Sequence, residues 1–224
     1  EIYRCDWSSD VCSSDLKEDI RRETERRNNA KFEDVLPRII ASAEHRIYHG
    51  AEEPLRSEPL RIRVMETTDD LTIASGEVAL PADYLQSIRL QWDGSPKTSP
   101  TFEPPHTFFL NRYTTTGGSP VRYTIESGSI HVSPMVSGDI AFTYYARPDA
   151  LERDTDTNDV LTEYPMIYFY AGLVEAYSYL RNPTEMQKAF GNYVSLLGGL
   201  MRSEGRARVG YSTPLAPRIP GARI

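Results

Sequence analysis

Residues 166–180 read Met166-Ile167-Tyr168-Phe169-Tyr170-Ala171-Gly172-Leu173-Val174-Glu175-Ala176-Tyr177-Ser178-Tyr179-Leu180, with Glu175 as the single charge. Apolar side chains at nearly every position leave no polar face, so this segment reads as a helix covered on most sides. Its cover comes from its own domain or from a neighbouring subunit. Asn182-Pro183 breaks the helix, and a second one follows with Met186, Phe190, Tyr193, Val194, Leu197, Leu200 and Met201 on one stripe. Just upstream, Thr157 or Asn158 caps a segment starting near Asp159, and Asp159 and Glu163 suit the positive end of a helix dipole.

Working outward, a matching apolar face lies far away in the sequence. Phe32, Leu36, Ile39, Ile40, Ala43 and Ile47 recur at steps of three and four, which predicts a helix from about Phe32 to His49. Pro37 falls in its first turns and Gly50 just past its end, positions each residue tolerates. Lys17 to Arg27 is dense in charge with Ile20 as its only large apolar residue, so it reads as a solvated helix or the frayed remainder of one.

Between the two helical regions the period drops to two. Leu60, Ile62 and Val64 alternate with polar or long side chains, and Leu71 to Ile73, Val78 to Leu80 and Ile88 to Trp92 continue as half-buried strand. Pro96, Pro100, Pro104 and Pro105 then mark a long loop beginning at Asp93. Arg122 to Ile125 and Ser129 to Val132 flank Glu126-Ser127-Gly128 as a hairpin, and Asp139 to Ala146 adds a further strand. No helical run interrupts the strands, which excludes a doubly wound parallel sheet. The expected fold is therefore α+β. A helical bundle forms from residues 17–50 and 158–204, an antiparallel β-sandwich or barrel-like domain is inserted over 58–149, and 205–224 is an extended C-terminal arm rich in Gly, Pro and Arg.

The 224 residues carry 25 Lys and Arg against 32 Asp and Glu, a net charge of −7, with 39% hydrophobic content. Such a balance does not suit a protein wrapped around nucleic acid, and no apolar run approaches the roughly 18 residues a membrane span needs. Asp6 to Leu16 spells the one-frame translation of a common sequencing oligonucleotide, so residues 1–16 are expected to be a library artefact, and the natural start of the gene is expected to be missing. Setting them aside removes four acids and one arginine, bringing the charge to −4. Cys5 and Cys12 go with them, which leaves no thiolate for a disulfide, a zinc site or a nucleophile.

Signatures of chemistry are weak. There is no GxGxxG, no P-loop and no GxSxG elbow. His45 and His49 lie four apart on a helix, yet no HExxH glutamate or third ligand accompanies them, so they read as solvated helix-end residues. His106 and His131 read as isolated. Asp154, Asp156 and Asn158 imitate the opening of a calcium loop, which then fails at Asp159 and Pro165 and reads instead as a turn with a helix cap. Glu163 and Glu175 are the carboxylates closest to a pair suited to glycoside hydrolysis. The expectation is no catalytic residue, no metal and no cofactor.

A family resemblance rests on an ordered set of short motifs. These are Phe32-Glu-Asp-Val-Leu-Pro37, Ala43-Glu44-His-Arg46-Ile47, Leu80-Pro81-Ala-Asp83-Tyr84-Leu85, Pro120-Val-Arg-Tyr123-Thr-Ile125, Tyr144-Tyr145-Ala-Arg147-Pro148, Asn158-Asp-Val-Leu161 and Pro165-Met-Ile-Tyr168-Phe-Tyr170-Ala-Gly172-Leu-Val-Glu175-Ala176. In that order and spacing, from Phe32 to about Arg202, they resemble tailed-phage head-to-tail adaptor proteins, the head-completion ring beneath the portal. The resemblance implies a non-enzymatic virion protein at the head–tail junction, assembled in the host cytoplasm as a ring, a dodecamer matching the portal. Its partners would be the portal protein and a tail nozzle or tail-tube protein, with genomic DNA passing through the lumen without specific binding and no membrane contact. The arm would grip the portal through Arg206, Arg208, Tyr211, Pro214, Leu215, Pro217, Arg218 and Ile219. Tyr168, Tyr170, Leu173, Tyr177, Phe190, Tyr193 and Leu197 would serve subunit packing. Two other readings compete: a peptidoglycan-cleaving virion glycosidase using Glu163 or Glu175, and a carbohydrate-binding or decoration β module over Leu60 to Arg147.

Overall fold

The structure, a computed structural model, describes residues 11–110 and 117–209. The fold is α+β and divides into two compact units. A helical unit takes the chain up to Arg63 and again from Ala150, and a β-rich unit takes Val64–Asp149.

The apolar segment becomes α6 (Pro165–Tyr179), started by Pro165 at its first position, where a missing N–H costs nothing. Its cover comes from within the same chain, by α1 (Ser13–Glu23), α3 (Leu36–His49), α5 (Asp159–Glu163) and α7 (Pro183–Val209). Arg181 at φ 54° makes the turn into α7. The predicted helix from Phe32 is two pieces, α2 (Ala30–Glu33) and α3. Pro37 has no N–H to donate to the Glu33 carbonyl, so the ladder lapses there and restarts. Asn29 caps α2 by accepting from the Phe32 N–H, and Asn158 caps α5 by accepting from the Leu161 N–H.

At the N-terminus the structure departs from expectation. α1 is packed rather than solvated, because Leu16 and Ile20, one turn apart, are both fully buried and Val11 joins them. Ile20 lies so close to α6 that a Cβ on Gly172 would sit 2.6 Å from its Cδ1. Lys17 is buried as well, its ammonium 2.6 Å from Asp154. The Ser13 and Ser14 amides, orphaned at the helix start, donate to the carbonyls of Asp156 and Asp154. The stretch set aside as an artefact thus supplies two core side chains and the first turn of a helix.

A second difference concerns residues 58–63, expected in the β insertion but part of the helical unit. Leu60 and Ile62 are fully buried, and the Leu60 N–H donates to the Ile47 carbonyl at 2.8 Å. Their alternation is real, yet no strand pairs with them; the chain makes a 3-10 turn at Arg63–Met65 before β1 begins.

The β-rich unit holds two sheets. β1 (Glu66–Ile73), β7 (Gly138–Ala146) and β3 (Tyr84–Trp92) pair antiparallel in the order β1-β7-β3. β2 (Glu77–Ala79), β6 (Ser129–Ser133), β5 (Arg122–Glu126) and β4 (Thr101–Phe102) form the other in the order β2-β6-β5-β4, with β4 parallel to β5. One apolar cluster draws on both, including Ile73, Trp92, Tyr123, Ile130, Val132 and Phe142. The hairpin between β5 and β6 turns through Ser127 and Gly128, both at positive φ, the conformation that matches strand twist. The Pro-rich excursion, expected as loop, contains β4 and a short helix, α4 (Pro105–Leu110), whose Phe108 is buried. Tyr144, though in the core, reaches two carboxylates: its single hydroxyl proton is within donating distance of Asp69 Oδ2 (2.9 Å) and Asp83 Oδ1 (3.0 Å).

Gly50 ends α3 at φ 74° and ψ −171°, a region essentially reserved for glycine, and an added Cβ would lie 2.5 Å from the Ser57 carbonyl oxygen. Replacing Gly50 by Ala is expected to cost about 2 kcal/mol or more in urea unfolding. Gly191→Ala in α7, where an added Cβ meets nothing within 4 Å, is expected to stabilise by up to about 1 kcal/mol.

Candidate functional site

The tyrosines and leucines expected to pack subunits mostly hold the protomer together. Tyr168, Leu173, Tyr177, Tyr193 and Leu197 are buried within the chain and pack inside the protomer; Tyr170 and Phe190 remain half-buried. On α7 the large apolar side chains left outside are Val194 and Leu196, each 39% exposed. The arm also begins later than expected. α7 continues to Val209, so residues 205–209 are helical rather than extended, with Arg206 exposed on the helix. The physical reason is that Arg206 and Ala207 are good helix formers and carry the pattern past Gly205. Arg208 also falls within α7, while Tyr211, Pro214, Leu215, Pro217, Arg218 and Ile219 lie outside the described residues.

The two carboxylates considered for hydrolysis do not come together. Glu175 is bound by Arg46, whose Nε and Nη2 both lie 2.8 Å from Oε1 while Nη1 donates to the Leu55 carbonyl at 3.1 Å. Glu163 is exposed on α5, ahead of the start of α6. Glu175 lies ten positions after the start of α6 and is engaged by Arg46 rather than by a second carboxylate.

The other polar candidates resolve into structural duties. Asp154 pairs with Lys17, whose ammonium holds its carboxyl below the usual carboxylate range. Asp156 is likewise lowered, chiefly by the Arg153 backbone N–H at 2.8 Å. Asn158 caps α5, so the three side chains of the calcium-like motif face three different partners. The rings of His45 and His49 lie 4.7 Å apart between centroids, tilted by 38°, beside a cleft of about 460 Å³ that Glu52, Arg56 and Glu58 also line. Among the described residues no group of three or more His, Cys, Asp and Glu is placed to hold a metal ion. In the β-rich unit, His106 bonds Thr107, and His131 lies under the Phe109 ring.

Two arrangements escaped the sequence reading. At the meeting of α3 and α6 the hydroxyls of Tyr48 and Tyr168 bond each other, and Asn158 Nδ2 donates to Tyr168 at 2.9 Å. Beside them the buried Glu44 accepts from the Leu151 N–H at 3.2 Å. Burial raises both tyrosine pKa values well above the ordinary range. The second is Glu204, 7% exposed near the end of α7, whose Oε2 accepts from both the backbone N–H (3.2 Å) and Nε (2.9 Å) of Arg63. The Tyr48–Tyr168 and Arg63–Glu204 contacts join residues 120 and 141 positions apart, so no local pattern announces either arrangement.

Comparison with known proteins decides the class. The family model described as SU10 adaptor protein matches residues 13–218, spanning both halves of the helical unit and the whole β-rich insertion. The chain belongs to the SU10 adaptor protein family. It is accordingly a structural component of a phage virion, a head-to-tail adaptor. No curated protein matches the chain.

The tyrosine pair sets an alkaline limit for the helical unit. A raised folded-state pKa leaves stability intact below the ordinary tyrosine value of about 10, and stability falls as pH rises beyond it, because only the unfolded chain readily ionises there. In urea titrations from pH 8 to 12, Tyr48→Phe is expected to cost about 1 kcal/mol at pH 8 and to show a shallower alkaline decline than the parent.

Proposed function

We propose that this SU10 adaptor closes into a ring under the phage portal and joins it to the first tail component. The observation that carries the reading is the family match across residues 13–218. The ring is a dodecamer matching the portal, assembled in the host cytoplasm, with genomic DNA passing through its lumen. Head-to-tail contacts that close after a fixed rotation generate such a ring without any self-complementary patch. Of the residues assigned to subunit packing, Tyr170 and Phe190 retain surface to offer a neighbour.

The segment after α7 makes the portal contact. It carries Pro214, Pro217 and Pro220, which limit the conformational entropy lost on docking, and Arg218 and Arg223, suited to bidentate pairing with carboxylates. The net charge of −4 that remains once residues 1–16 are set aside disfavours adhesion to the DNA passing through. The β-rich unit supplies the contact to the tail nozzle or tail tube.

A chain ending at Val209 keeps every described helix and strand. Native mass spectrometry with the portal ring of the same phage is expected to show the full chain bound and this shortened chain unbound. Binding that survives the truncation would transfer the portal contact to another surface.

A further inference from the structure

Arg63 is the last residue of the helical unit before the chain enters the β-rich unit, and Glu204 lies five residues before the end of α7. Glu204 is an unusual choice for that place. A carboxylate in the last turns of a helix opposes the helix dipole, and its side chain, 9% exposed, has also lost most of its hydration. Both penalties are offset at one point, where Oε2 accepts two hydrogen bonds from Arg63. Arg63 is otherwise well exposed, its side chain at 60%, while Leu60 and Ile62 just before it are buried. The exit segment is therefore fixed to the helical core as far as Ile62, and its last residue is held by the end of α7.

We propose that the Glu204–Arg63 pair is a latch that couples engagement of the chain after Val209 to the point where the β-rich unit is tethered. The proposal rests on the portal-binding role assigned above to that C-terminal segment. When a partner grips the segment, the last turns of α7 lose their freedom to fray, and Glu204 is presented to Arg63 for a larger fraction of the time. The Arg63 amide is then protected, and the tether at the start of β1 stiffens. Coupling of this kind needs no displaced atom, since ordering one end lowers the entropy cost of closing the latch at the other.

Hydrogen exchange followed by mass spectrometry, on a peptide spanning Leu60 to Glu66 of the full chain, tests the latch with and without the portal ring. Portal binding is expected to slow exchange at Arg63 about tenfold in the parent chain. Glu204→Ala is expected to bind portal yet show no slowing, with Glu204→Gln, which keeps an acceptor for the amide, in between. In the free chain Glu204→Ala is expected to speed exchange at Arg63 while leaving α3 unchanged. Equal slowing in the parent and Glu204→Ala, or none in a portal-bound parent, overturns the coupling and leaves the adaptor role standing. A parent chain that does not bind portal overturns that role and the coupling with it.

Discussion

The helical unit depends on the burial of one helix with no polar side. α6 presents apolar surface around most of its circumference, and most of it is covered by helices contributed from both ends of the chain, α1 and α3 on one hand and α5 and α7 on the other. Each fully buried large side chain among them contributes about 1.5–3 kcal/mol relative to exposure. The cost is entropic, since residues more than a hundred positions apart must be brought together before any of that burial is realised. Polar contacts then fix the arrangement that burial alone would leave loose: Arg46 to Glu175 along α3 and α6, the tyrosine pair between them, and Lys17 to Asp154 at the start of α1.

That dependence explains which parts were legible in the sequence. α6, α7 and α3 are long and strongly patterned, and each lies close to where its period places it. The strands at Arg122–Glu126, Ser129–Ser133 and Gly138–Ala146 are similarly plain, because alternation and a Ser-Gly turn speak for themselves. Leu60 to Val64 misled because alternating burial does not require a ladder; an extended segment laid on helices produces the same pattern. α1 misled in the opposite direction, since its charge density hid a two-residue stripe of Leu16 and Ile20 sufficient for a short helix.

The site was less legible than the fold. Tyr168 and Tyr193 are of the aromatic type that interfaces favour, but the same type fills cores, and only the three-dimensional arrangement separates the two uses. Glu44, Glu204 and Asn158 carry no periodic signal; each matters because a distant backbone group needs an acceptor or a distant hydroxyl needs a donor. The family relationship was legible because it rests on order and spacing along the chain rather than on any one contact.

α7 combines length with weakness. Gly191, Gly198, Gly199 and Gly205 interrupt a helix of 27 residues, and at three of them no neighbouring atom stands where a side chain would go. Together they forgo about 4 kcal/mol of intrinsic helicity relative to alanine. The last turns of the helix are consequently held with little intrinsic helicity to spare, so local opening there carries little penalty. Slack of that kind leaves the helix's own sequence, rather than packing by neighbours, to decide where its regular hydrogen bonding stops.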